Sequence, residues 1–110
     1  MSDALLVLTN LPDAASARAL AAHLVEARLA ACANILAPCR SIYRWDGKLE
    51  DAEETPLLLK TTAARYPALE AAIRAHHPYE LPEIVAVPIE RGLPAYLAWV
   101  AAETTEPAAC

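Results

Sequence analysis

Two adjacent imidazoles, His76 and His77, followed by Pro78-Tyr79-Glu80 and then Glu83, are the residues whose types and spacing best suit metal chemistry. Neutral imidazole is a ligand for copper, zinc and nickel, and a carboxylate a short turn further on can add oxygen. His76, His77, Glu80 and Glu83 are therefore candidate ligands for copper or zinc, an ion not required for folding. Ligands must be deprotonated, so affinity should fall on acidification around the ordinary histidine pKa of roughly 6.5. A plainer reading stands beside this one. Neighbouring positions seldom aim both rings at one ion, and Pro78 ends the preceding helix, where a histidine suits the macrodipole and can bond a free carbonyl.

A second constellation is the run Ser41-Ile42-Tyr43-Arg44-Trp45-Asp46-Gly47-Lys48-Leu49-Glu50. Asp46-Gly47 signals a tight type I′ hairpin turn, in which both central residues need positive φ, and it sets Trp45 opposite Lys48. Tyr43, Trp45, Lys60 and Tyr79, with Glu83, could line a cleft for a small anion or other ligand. Alternatively, Lys60, Glu50, Glu80 and Glu83 form structural ion pairs between subunits, since an isolated buried charge is costly. A chain with only two glycines has no phosphate-cradling loop. No Ser-His-Asp or Cys-His arrangement is legible, so no enzymatic turnover is expected. Cys32, Cys39 and Cys110 form no Cys-x-x-Cys pair, and the odd number fits a reducing compartment. Cys32 reads as packing, Cys110 as incidental, and Cys39 as a small edge-strand residue whose neighbour Arg40 could raise its reactivity.

The elements that must position these groups follow from periodicity. Residues 4–9 form a buried strand closed by Asn10-Leu11-Pro12-Asp13, and Asp13 can cap a helix over 14–30. Residues 33–45 are extended with a bulge or edge position at Pro38, and 48–60 return with an interruption near 53–56. A helix over 66–76 starts with Pro67 in its first turn, 83–89 is the last strand, and Gly92-Leu93-Pro94 opens a short helix with Trp99 in its packing. The pattern predicts an α+β, ferredoxin-like βαββαβ sandwich with an extra C-terminal helix, one domain over 1–103 and a frayed tail over 104–110. The hairpin arms exceed the sheet of such a domain. Their excess must pair with another chain, and closed symmetric association is the ordinary way to cover it.

With a net charge of -5 and no Lys/Arg cluster, nucleic acid is excluded as a partner; with 56% hydrophobic residues, a core is assured. No apolar run spans a bilayer, and the stretch 4–8 is too short for a signal-peptide core, which points to the cytoplasm.

The ordered blocks Ser41 to Glu50, Leu58-Leu59-Lys60-Thr61, His77-Pro78-Tyr79-Glu80-Leu81-Pro82-Glu83-Ile84 and Tyr96-Leu97 to Trp99, with Arg28-Leu29-Ala30-Ala31-Cys32 upstream, resemble the divalent-cation tolerance family, CutA. The resemblance covers nearly the whole chain. It implies a cytoplasmic homotrimer of ferredoxin-like subunits, linked to divalent metal tolerance and, in some members, to copper. Some copper-binding members of that family carry a thiol at the end of the first strand where this chain has Thr9, which implies a weaker site, less selective for Cu(I). The alternative is a small-molecule sensor similar to the trimeric PII signalling proteins, with its ligand cleft between subunits.

Overall fold

β1 (Ala4–Leu11) alternates with the strand period of two: Val7, Thr9 and Leu11 are buried towards the helices, while Leu6 and Leu8 on the other face are half-buried. The computed structural model describes residues 2–106. Asp13 starts α1 (Ala14–Glu26) by accepting the Ser16 amide at Oδ1, 2.7 Å away, and that bond holds its carboxyl below the usual carboxylate range. Ala17, Leu20, Ala21 and Leu24 form the helix's buried stripe.

The helix ends before residue 30 because Arg28 takes a left-handed φ of 61°. The Leu29 amide donates to the Leu24 carbonyl at 3.0 Å and the Arg28 amide to Val25 at 3.0 Å, a Schellman closure with arginine where glycine is usual. The Arg28 guanidinium then donates to the carbonyls of Ala102 (2.8 Å) and Thr105 (3.1 Å), tying this turn to the last helix.

β2 (Cys32–Ile35) and β3 (Cys39–Trp45) form one arm, broken at 36–38, against an unbroken β4 (Lys48–Thr62). The interruption expected near 53–56 is absent from β4. A strand residue points its N–H and C=O towards the same neighbour. The Pro56 carbonyl accepts from Leu36 at 3.0 Å, so its missing N–H also faces the gap between β2 and β3, where no ladder bond is lost. The break falls on the partner arm instead.

The antiparallel sheet runs β2-β4-β1-β5, with β3 on the first half of β4 and β5 (Val85–Pro88) pairing with Leu5 to Leu8. α1 and α2 (Tyr66–His76) cover one face and enclose a core of Val7, Leu11, Leu20, Leu24, Leu57, Leu59, Leu69 and Ile73. This is the expected α+β, ferredoxin-like arrangement. α3 (Pro94–Glu103) rests on β4 and β1 and buries Val100. Trp99, expected in the packing of that helix, is instead 42% exposed beside Tyr96, because Val100 takes the inward position. The segment expected as a tail starts packed: Thr104 is buried and its hydroxyl donates to the Val100 carbonyl at 2.8 Å. Residues 107–110, with Cys110, lie outside the described residues.

Two apolar surfaces are left without cover. On the open sheet face, Val85 and Val87 are 48% and 53% exposed beside half-buried Leu6, Leu8 and Leu58. On the hairpin, Ile42 and Leu49 are 68% and 73% exposed.

Candidate functional site

The Asp46-Gly47 turn has the predicted geometry: both residues have positive φ, 52° and 76°, and Trp45 pairs with Lys48. It extends β3 and β4 past the body of the sheet. One side of this arm faces the segment between α2 and β5.

In that segment His77 caps α2 in an extended conformation and turns its ring inward, leaving the residue 8% exposed. Nε2 lies 2.7 Å from the Asn10 carbonyl, and Nδ1 lies 3.1 Å from the Tyr79 amide nitrogen. The carbonyl can only accept and the amide only donate, so the ring is neutral and protonated at Nε2. Burial pushes the His77 pKa below its ordinary value, against the Asn10 bond and the Glu54 charge, which favour protonation. Tyr79 packs 4.7 Å from that ring, and its hydroxyl is pushed up to about 12, chiefly by burial and then by its hydrogen bond to Glu54.

Both His77 nitrogens are thus engaged with the backbone. His76 points elsewhere: its Nδ1 is 2.9 Å from the Ala72 carbonyl, and its ring meets His23 of α1 at 4.2 Å between centroids. Glu83 accepts from the Asn10 side-chain amide at 3.0 Å, and Glu80 is exposed. Among the described residues, no three His, Cys, Asp or Glu side chains converge as a metal-holding group. His76, His77, Glu80 and Glu83 are near one another along the chain without forming a ready cage. Asn10 went unnoticed in the sequence, where it reads only as turn chemistry; its carbonyl and side chain bind His77 and Glu83 to the end of β1.

Between this segment and the hairpin lies a groove of about 1240 Å³ within the one chain, lined by Tyr43, Trp45 and Tyr79 and by the carboxylates Glu53, Glu54, Glu80 and Glu83, with no Lys or Arg among its walls. Lys60 is not part of it. Its Nζ donates to Asn34 Oδ1 at 2.7 Å, and its register partners are Leu6 and Cys32. Along an unbroken strand at about 3.3 Å per residue, Lys60 is roughly 40 Å from the hairpin turn. Within one chain it cannot meet Tyr43 and Trp45, and the acidic walls oppose an anion.

Cys32 is half-buried, 3.7 Å from the Tyr96 hydroxyl, and Cys39 is exposed, 3.9 Å from the Ser41 hydroxyl. Arg40 gives its charge to Asp51 at 2.8 Å. Thr9 is fully buried, and its hydroxyl has no hydrogen-bond partner among the described residues.

Residues 5–103 match the model of the CutA1 divalent ion tolerance protein family. The chain belongs to that family. It is 47% identical over 98 residues to the divalent-cation tolerance protein CutA of Thermus thermophilus, covering 89% of this chain and 95% of that one. Against CutA of Citrobacter koseri it is 42% identical, covering 89% and 85%. The crystal structure of CutA from Xylella fastidiosa superposes with a TM-score of 0.92 at 43% identity over 94% of this chain and 100% of that one. CutA1 from Oryza sativa gives 0.92 at 33% identity, covering 96% and 97%. The family is named for tolerance of divalent ions and not for a catalysed reaction.

Proposed function

We propose that this chain works in the cytoplasm as a homotrimer in divalent-cation tolerance, binding copper or zinc weakly and reversibly without turning a substrate over. The observation that carries the reading is the uncovered apolar surface: the Leu6, Leu8, Leu58, Val85 and Val87 face and the hairpin with Ile42 and Leu49. On the face opposite α1 and α2, α3 covers only the end near Ala4 and Thr62, and the apolar stretch of Leu6, Leu8, Leu58, Val85 and Val87 beyond it is left uncovered, where a sheet normally hides or wets such a surface. Three copies around a closed axis would bury both surfaces and pair the free hairpin edge. The ion would be met by His76, whose second nitrogen has no hydrogen bond among the described residues, with exposed Glu80 near it in sequence. One imidazole and outlying carboxylates give an exchangeable site, which suits a protein that responds to an ion.

The groove supports a second reading, a small-molecule sensor. Tyr43, Trp45 and Tyr79 with four carboxylates suit a cationic ligand with apolar surface, through ring faces and charge together. Equilibrium sedimentation at micromolar chain concentration, followed by calorimetric titration with Zn(II) and Cu(II), tests the leading reading. Three times the chain mass and saturable metal uptake are expected; a folded monomer, or no uptake, contradicts it.

A further inference from the structure

His23 is exposed on α1 and His76 on α2, and the packing of the two helices brings their rings to 4.2 Å between centroids, tilted by 39°. We propose that these two side chains form a chelating site for a divalent transition-metal ion, Zn(II), Ni(II) or Cu(II), on the solvent side of the helical layer. The inference rests on the cation-binding reading above and names a ligand that His76 would share.

His76 is already arranged as a ligand. Its Nδ1–H donates to the Ala72 carbonyl at 2.9 Å, which fixes the tautomer and leaves Nε2 with a free lone pair. Metal-bound imidazoles typically give their other N–H to a carbonyl or carboxylate in this way, which orients the ring and raises its basicity. His23 supplies the second nitrogen with no competing hydrogen bond to its ring among those of the described residues. With metal–nitrogen bonds of about 2.1 Å, two imidazoles bound at a right angle have centroids about 4.6 Å apart, and at a tetrahedral angle about 5.3 Å. From 4.2 Å the rings must open by half to one ångström. Exposed side chains on separate helices can do this by small χ adjustments.

Imidazole donors select borderline ions over Mg(II) and Ca(II). With two protein ligands, water fills the remaining positions, so the site should be weak and open to exchange. His77, with both nitrogens engaged and its ring turned into the fold, takes no part.

Calorimetric titration of Zn(II) into wild type, His23→Asn and His76→Asn at pH 7.5 tests this, with substoichiometric Cu(II) broadening of the histidine ring-proton resonances as a second readout. Both positions are exposed, so both variants should keep wild-type circular dichroism. The expected result is about one ion per chain in wild type and at least a tenfold loss of affinity in each variant, with the His23 and His76 resonances broadened first. If His76→Asn loses binding while His23→Asn matches wild type, the pair is wrong and the cation-binding reading survives. Unchanged binding in both variants also overturns the pair and moves the ion elsewhere. No binding in wild type at millimolar Zn(II) overturns both.

Discussion

Replacing His77 by Ala should cost more stability than any other single change in the segment joining α2 to β5. The ring donates to the Asn10 carbonyl at 2.7 Å and accepts the Tyr79 amide at 3.1 Å, in a residue that is 8% exposed. Each bond is worth about 1 kcal/mol net, and a buried partner left unpaired costs about 1–3 kcal/mol, so the loss should be about 2–4 kcal/mol per chain at pH 8. The pH arm has a definite sign. The folded pKa of His77 lies below the unfolded value near 6.5, so between them the unfolded chain binds more protons. The stabilisation is therefore complete above pH 6.5 and lost as pH falls below it towards the folded pKa, with a slope of at most about 1.4 kcal/mol per pH unit. Guanidinium unfolding midpoints at fixed chain concentration, from pH 8 to 5, measure both effects. His77→Ala should lower the midpoint at pH 8 and flatten its fall below pH 6.5. A variant within 0.5 kcal/mol of wild type, or one with an unchanged acid slope, refutes the buried neutral imidazole.

Gly47→Val should destabilise by about 1–3 kcal/mol through backbone strain alone, since an added Cβ at this positive φ meets nothing within 4 Å, whereas Gly47→Asn should cost far less; the denaturation midpoint reads both. Thr9→Cys should stabilise by about 1 kcal/mol in the same assay, as it removes a buried hydroxyl without a partner, and competition with a Cu(I) chelator should show stronger Cu(I) retention if a thiol there reaches the histidine turn. Arg28→Gly relieves a left-handed residue but frees the Ala102 and Thr105 carbonyls, so the midpoint should stay near wild type while amide exchange quickens at the end of α3; Arg28→Ala, which keeps the strain, should be less stable than Arg28→Gly.

The order of elements was legible because each carried a local signal: the continuous apolar run of β1, the Asp13 cap, the Asp46-Gly47 turn and Pro67 at the start of α2. What escaped depended on contacts distant in sequence. α1 stops at a Schellman turn without glycine, since Arg28 is held in place by the end of α3. β4 runs through Pro56 because the partner arm breaks opposite it. The site was legible as residue types and not as geometry. His76 and His77 are neighbours in sequence, yet one turns to His23 and the other to Asn10. Tyr43, Trp45 and Tyr79 do share a groove, but strand rise alone separates Lys60 from it. The apolar open face of the sheet was readable in the unbroken apolar runs that hold Leu6, Leu8 and Leu58, which leave neither face of these strands polar, and it gives a stronger reason for association than hairpin length.

The most direct measurement is native mass spectrometry of the chain at micromolar concentration, with and without stoichiometric Zn(II) or Cu(II). The account predicts an assembly of three times the 11.8 kDa chain, taking up about one ion per chain above a Mg(II) control. A folded species at the mass of one chain, or a trimer that binds these ions no better than Mg(II), would contradict it.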